Sequence, residues 1–309
     1  MVEEQQELQR GLKNRHVQLI SIGGAIGTGL FLGAGKTIQL AGPSILLAYL
    51  ITGCVCFFIM RALGELLLSN TNNHSFLDFV AEYLGKKVAF VTGWTYWFCW
   101  VAIAMADLTA IGMYVRYWVP GVPQWLPELI ALILLLGLNM VAVSLFGELE
   151  FWFALIKVVS IIAFIIVGIY MILTHYKTSA GPASITNLWS HGGFFPTGTK
   201  GFILSFQMVT FAFTGIELVG LVAGETKNPE KVLPEAINNI PIRIILFYLG
   251  SLFVIMSIYP WNSLDANNSP FVEVFSEIGI TIAASLINLV VLSAAASACN
   301  SAIYSTGRM

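Results

Sequence analysis

The sequence predicts an all-α integral membrane protein. Three observations carry that expectation. The chain of 309 residues is 57% hydrophobic and only 10% charged, where a soluble domain carries about 25% charged residues. Its apolar runs each approach the roughly 20 residues that a helix needs to cross the hydrocarbon of a bilayer. Lysine and arginine gather in the linkers between those runs. No soluble fold of this length has interior enough to hide so much apolar surface, so lipid must cover it. The near-neutral balance, net charge -2, lacks the basic face that a nucleic-acid partner requires.

Residues 1–16 hold the charged run Glu3 to Arg15 and no small-residue cleavage site, so this segment reads as a retained cytoplasmic N-terminus, not a secretory signal. Apolar runs follow at Val17 to Leu40, Ser44 to Ser69, Val88 to Val119, Trp125 to Gly147 and Phe151 to His175, and then at Gly201 to Glu225, Ile240 to Pro260 and Thr281 to Thr306. The chain thus divides into 17–175, with five spans, and 201–306, with three. Arg10, Lys13, Arg15, Lys86, Lys87, Lys227, Lys231, Arg243 and Arg308 fall on one side; Lys36, Arg116, Lys177 and Lys200 fall on the other. The positive-inside bias assigns the first group and the N-terminus to the cytoplasm of a multi-pass protein of the cell membrane. Trp118, Trp125, Trp189 and Trp261 lie near the outer ends of spans, where interfacial anchors belong.

Three linkers are long. Asn70 to Lys87 contains an apolar-periodic piece, Phe76 to Leu84, which the sequence predicts as a short helix capped by Ser75. Tyr176 to Lys200 is rich in Gly, Ser and Thr. Thr226 to Asn239 carries Asn228-Pro229-Glu230 and Leu233-Pro234-Glu235, each with proline at a helix start and acid just after.

Two spans are interrupted by residues that disfavour a continuous helix: Gly23-Gly24-Ala25-Ile26-Gly27-Thr28-Gly29 in the first and Phe213-Thr214-Gly215-Ile216-Glu217 in the sixth. Unpaired backbone at mid-membrane depth is tolerated only where it lines a cavity or meets protein, and paired interruptions in two halves point to a solute-binding site. An unwound segment at Gly27 to Gly29 would leave N–H groups at a positive dipole end for a carboxylate, and carbonyls at Ala25 and Ile26 for an ammonium. The same glycines also suit close helix packing, since Gly23 with Gly27 and Gly29 with Gly33 follow a small-xxx-small spacing. Both readings stand. Phe213, Thr214 and Gly215 complete the candidate substrate contacts, with Phe213 as an apolar lid, and Ile103 of the third span joins them.

Ionisable residues inside spans are costly, on the order of 2.5 to 3.5 kcal/mol on insertion scales, and mark function by default. Glu217 is expected to be protonated or paired; it reads as a proton carrier or ligand contact, or as a structural acid bonding the broken backbone. Lys157 in the fifth span can serve as a fixed cation, release its proton when buried, or snorkel to the interface. Asp107 in the third span is a weaker candidate of the same kind, near enough to the outer end to be simply solvated. Arg61 and Glu65 are spaced for a local ion pair. Glu148 and Glu150 read as solvated caps of the turn before span five. The aromatic cluster Trp94, Tyr96, Trp97 and Trp100 reads as packing more than as site. The cysteines Cys54, Cys56, Cys99 and Cys299 read as buried small hydrophobes. No histidine or cysteine spacing suggests a metal, a cofactor or an activated nucleophile, so an enzyme is not expected.

Leu12 to Phe31, Met60-Arg61-Ala62-Leu63-Gly64-Glu65-Leu66, Gly147 to Lys157, Phe213 to Glu217 and Glu225 to Pro229 together resemble the amino acid transporter family of the amino acid, polyamine and organocation superfamily. Within it, Thr92 to Trp100 and Ala236 to Ile244 are most similar to carriers of D-serine, D-alanine and glycine. The resemblance implies a five-plus-five inverted-repeat fold with spans one and six broken around the substrate, and two further helices. The second repeat is then truncated after the eighth transmembrane helix, at Arg308-Met309. It also implies import of a small zwitterionic amino acid with a proton, Lys157 standing where other members bind sodium and Glu217 following the span-six break. A transport-incompetent fragment, a membrane amino-acid sensor and a carrier for another neutral amino acid are the alternatives. Oligomeric state has no signature in the sequence.

Overall fold

The computed structural model describes residues 26–70, 73, 75–141, 143–217, 229–265, 269–277 and 281–307. Ala25, Gly23 and Gly24, the stretch from Leu218 through the Glu225 to Pro229 motif as far as Asn228, and Arg308-Met309 lie outside them. The described chain is helical apart from one small antiparallel pair, Lys177–Thr178 with Gly181–Pro182, in the linker after the fifth span. Among the described residues, five helices are long and apolar enough to cross a membrane, and Trp125–Met140 is a shorter apolar helix.

The first span is not one helix. Its described part consists of α1 (Thr28–Phe31) and α2 (Gly33–Ala41), joined through Leu32, whose N–H bonds the Thr28 carbonyl at 2.8 Å. A 3-10 turn at Gly42–Ser44, where Gly42 has φ 60°, leads into α3 (Ile45–Ser69). The short helix α4 (Phe76–Leu84) starts as the sequence predicts: Ser75 and Asp78 form a reciprocal capping box. Then come α5 (Lys86–Arg116), α6 (Trp125–Val141) and α7 (Val143–Leu173).

Here the structure corrects the sequence reading. Residues 143–147, assigned above to span four, belong to the helix of span five, so Glu148 and Glu150 lie inside α7 and cap no turn. Glu150 is 0% exposed. Its hydrogen-bond partners come from another helix, which is why burial is tolerated and the solvated assignment fails.

After α8 (Asn187–Ser190), α9 (Gly198–Ala212) stops at the second interruption. Helix α10 is described over Pro229–Asn238, and Pro234 sits within it and does not start a new helix. The seventh span is α11 (Ile240–Arg243), a π-helical segment Ile244–Gly250 and α12 (Ser251–Ile258). Helix α13 (Pro270–Glu277) precedes α14 (Thr281–Thr306), which packs along α5 more extensively than any other helix pair and also contacts α7 and α6.

The outward faces are apolar, as lipid contact demands: Phe58 on α3, Phe98 on α5 and Ile166 on α7 are all more than half exposed. Cys54 and Cys99 share those faces, so of the four free cysteines only Cys299 is the buried hydrophobe that the sequence suggested. Arg61 and Glu65 form the expected exposed pair at 3.2 Å.

Candidate functional site

The two interruptions meet. Gly27 precedes α1 in an extended conformation and no side chain caps the helix, so the N–H groups of Thr28 and Gly29 have no acceptor within it. On the other side, α9 ends at Ala212 and residues 213–217 form turns, with Gly215 at φ 94°, a left-handed conformation that favours glycine. A Cβ on Gly29 would lie 2.6 Å from the Ala212 Cα, so this glycine lets the two breaks touch. A Cβ on Gly27 would meet only the Ala298 Cβ, at 3.4 Å.

Two freed backbone groups of the second break find specific partners. The Tyr248 hydroxyl donates to the Ala212 carbonyl at 2.9 Å, and the Gly215 N–H donates to Glu217 Oε2 at 3.1 Å. The Tyr96 hydroxyl donates to Glu217 Oε1 at 3.3 Å. This is how a broken helix survives in an apolar interior. Phe213 turns away from the junction and stacks on Tyr248 with ring centroids 4.7 Å apart.

Between the breaks lies a small, partly open cavity. Its walls are Gly27, Thr28 and Gly29; Trp100, Ile103 and Asp107 of α5; Phe211, Ala212, Thr214 and Gly215; and Ala298 and Ser301 of α14. Of the candidate contacts, Gly27, Thr28, Gly29, Thr214, Gly215, Ile103 and Asp107 are therefore brought together. Ile26, Phe213, Glu217 and Lys157 are not among the lining residues, and Ala25 lies outside the described ones. Asp107 is 1% exposed, not solvated: the Thr28 hydroxyl donates to its Oδ1 at 2.7 Å, and its Oδ2 has no hydrogen-bond partner among the described residues. A second cavity shares Thr28 and Phe211 with the first and reaches Lys36, and a third shares Leu32 and Met113 with the second and reaches Ser179 and Asp265.

Lys157 is fully buried beside the site and does not snorkel. Its Nζ donates to the Ser297 hydroxyl at 2.8 Å, and that hydroxyl donates to Glu150 Oε2 at 2.7 Å. Asn300 donates to Glu150 Oε1 at 3.1 Å and accepts from Asn139 Nδ2 at 2.7 Å. The sequence reading did not find Ser297, Asn300 or Asn139. A signal existed: Ser293, Ser297, Ser301 and Ser305 recur every fourth residue, a polar stripe on one face of α14.

A model of the amino acid permease family matches residues 16–309. The chain belongs to the amino acid permease family. It is similar to the amino-acid permease AapA of Bacillus subtilis, at 70% identity over 99% of this chain and 66% of the relative. It is also similar to the D-serine/D-alanine/glycine transporter of Escherichia coli K12, at 56% identity over 99% of this chain and 65% of the relative, and to the DL-alanine permease SerP2 of Lactococcus lactis, at 52% identity over 99% and 66%. The chain thus spans about two thirds of the length of these relatives. Among solved structures, a Na+-coupled sialic acid symporter in an outward-open state matches with a TM-score of 0.67 at 14% identity, over 98% of this chain and 68% of that one. That likeness gives the permease its transporter fold and nothing about its solute. A permease is a carrier and not an enzyme, as the sequence implied.

Proposed function

We propose that this permease imports small zwitterionic amino acids, with glycine, D-alanine and D-serine as substrates, by proton symport across the cell membrane with alternating access. The observation that carries this reading is the cavity where the two helix breaks meet with a buried acid between them. The carboxylate of the amino acid is placed at the N–H groups of Thr28 and Gly29, where the run through α1 and α2 turns its positive end. The ammonium is placed at Asp107 Oδ2 and at backbone carbonyls near Ile26. Small walls on one side, Gly27, Gly29 and Ala298, suit a side chain no larger than methyl or hydroxymethyl. The name of the 56% identical relative supports the same substrates.

The linked cavities toward Asp265 are the route from the outer side, in the orientation given by the positive-inside bias, with the N-terminus in the cytoplasm. The arrangement is read as a first repeat at 17–175 and an incomplete second repeat at 201–306 of a five-plus-five fold. Lys157 and Asp107 carry the proton coupling, and Glu217 sets the shape of the second break while its protonation tunes that shape. One proton moving through 100 mV supplies about 2.3 kcal/mol, or roughly 40-fold accumulation. The test is uptake of labelled glycine into proteoliposomes under an imposed pH gradient, competed by a panel of D- and L-amino acids. Competition by D-alanine and D-serine supports the substrate assignment. Competition by threonine or larger neutral amino acids alone transfers the site to another neutral substrate, and binding without uptake makes this chain a sensor or a transport-incompetent piece.

A further inference from the structure

We propose that Glu150 is a second station for the coupled proton, reached from Lys157 through the Ser297 hydroxyl. The inference deepens the proton symport proposed above and rests on it. Glu150 and Lys157 are seven residues apart on α7, two helical turns or about 10 Å of rise. Direct contact is therefore replaced by a bridge from the neighbouring helix α14. The bridge has a direction. Lys157 Nζ donates to Ser297 Oγ at 2.8 Å and Ser297 Oγ donates to Glu150 Oε2 at 2.7 Å, so every hydrogen already points from the ammonium toward the carboxylate.

In the transfer, an N–H bond of Lys157 breaks as an O–H bond forms on Ser297, and the hydroxyl's original O–H breaks as one forms on Glu150 Oε2. An ammonium and a carboxylate become an amine and a carboxylic acid, with no other reactant. Asn300 donates to the other oxygen, Oε1, at 3.1 Å, and is itself held by Asn139 at 2.7 Å. That bond survives in both protonation states of Glu150, because the proton arrives on Oε2. Glu150, Lys157 and Ser297 are all fully buried, so a carboxylate here is withdrawn from bulk solvent and must be matched by charge or proton. The groups facing Lys157 include Glu150 from its own helix, Asp107 from α5 as another interacting charge, and the uncharged Ser297 from α14. Asp107 borders the cavity while Glu150 does not, so of the two acids that interact with the lysine only Asp107 lines the proposed solute site.

Ser297 is accordingly the relay between the two charges, and Ser297→Ala, Ser297→Thr and Glu150→Gln test it in proteoliposomes containing the whole protein. Two readouts are compared: accumulation of labelled glycine driven by a pH gradient, and counterflow exchange at equal pH, which needs no net proton transfer. Ser297→Ala is expected to lose at least tenfold in driven accumulation with counterflow within twofold of the parent, and Ser297→Thr to restore accumulation. Infrared difference spectra on a pH jump should show a carboxylic-acid band that is absent in Glu150→Gln; this readout needs no transport and decides the matter if a variant inserts poorly. Undiminished driven accumulation in Ser297→Ala, or a band unchanged in Glu150→Gln, overturns the relay and leaves proton symport standing. A parent protein that exchanges glycine but never responds to the pH gradient overturns proton symport itself, and the relay with it.

Discussion

Gly27 and Gly29 stand two residues apart in one motif, yet the structure gives them different work, and adding a single methyl group to each separates the two. In Gly29→Ala the new Cβ would lie 2.6 Å from the Ala212 Cα and 3.0 Å from its backbone nitrogen. Those atoms belong to the end of α9, held by Tyr248, and cannot swing aside as a side-chain tip could. One break must move away from the other. Overpacking of this kind costs about 1–3 kcal/mol, which corresponds to roughly 5- to 150-fold in any equilibrium that requires the breaks to touch. In Gly27→Ala the nearest atom is the Ala298 Cβ at 3.4 Å, an ordinary contact, so stability should change by less than about 0.5 kcal/mol. The methyl group instead occupies the cavity wall. Thermal unfolding in detergent and glycine binding by scintillation proximity should therefore diverge. Gly29→Ala should lose several degrees in Tm together with binding, whereas Gly27→Ala should keep its Tm and lose affinity, more for D-serine than for glycine. Equal melting temperatures in the two variants would refute the contact between the breaks, and unchanged affinity in Gly27→Ala would remove that glycine from the site.

Lys157→Ala should abolish accumulation driven by a pH gradient while retaining counterflow, because Lys157 itself is not among the cavity walls; accumulation with an unaltered pH dependence would count against it. Asp107→Asn keeps an acceptor for Thr28 but removes the charge facing the ammonium, so glycine affinity measured by isothermal titration should fall by about tenfold or more, on the scale of a charged hydrogen bond. Glu217→Ala removes the acceptor shared by Gly215 N–H and Tyr96 O–H and leaves both donors without that partner. A cost of about 1–3 kcal/mol in thermal stability follows, and an unchanged Tm would mean that the second break does not depend on this clamp.

How much of this was legible in the sequence varies with the kind of signal. Long apolar runs located the helices because desolvation dominates everything else in a bilayer, and the cap at Ser75 was readable because a capping box is local. The two interruptions were readable for the same reason: glycine and threonine act on the backbone where they stand. What they touch was not. Phe213 adjoins the break in sequence, but its stacking partner Tyr248 comes from elsewhere, and the ring faces the core, leaving Phe211 at the cavity. Glu150 was misplaced because Gly147 followed by two acids resembles a turn, whereas residues 143–147 already belong to helix α7. Its true depth depends on Ser297 and Asn300, nearly 150 residues downstream. The same long-range pairing explains why Trp100, one of four aromatics of equal appearance, lines the cavity while Trp94 is 58% exposed.

The central claim is that the junction of the two breaks binds a small amino acid and moves it with a proton. Its most direct measurement is uptake of labelled glycine by proteoliposomes of the purified protein in sodium-free buffer, with an inside-alkaline pH gradient imposed and then collapsed by a protonophore. Accumulation above equilibrium that vanishes with the protonophore is the expected result. Uptake that ignores the gradient, or that appears only when sodium is supplied, would contradict the account.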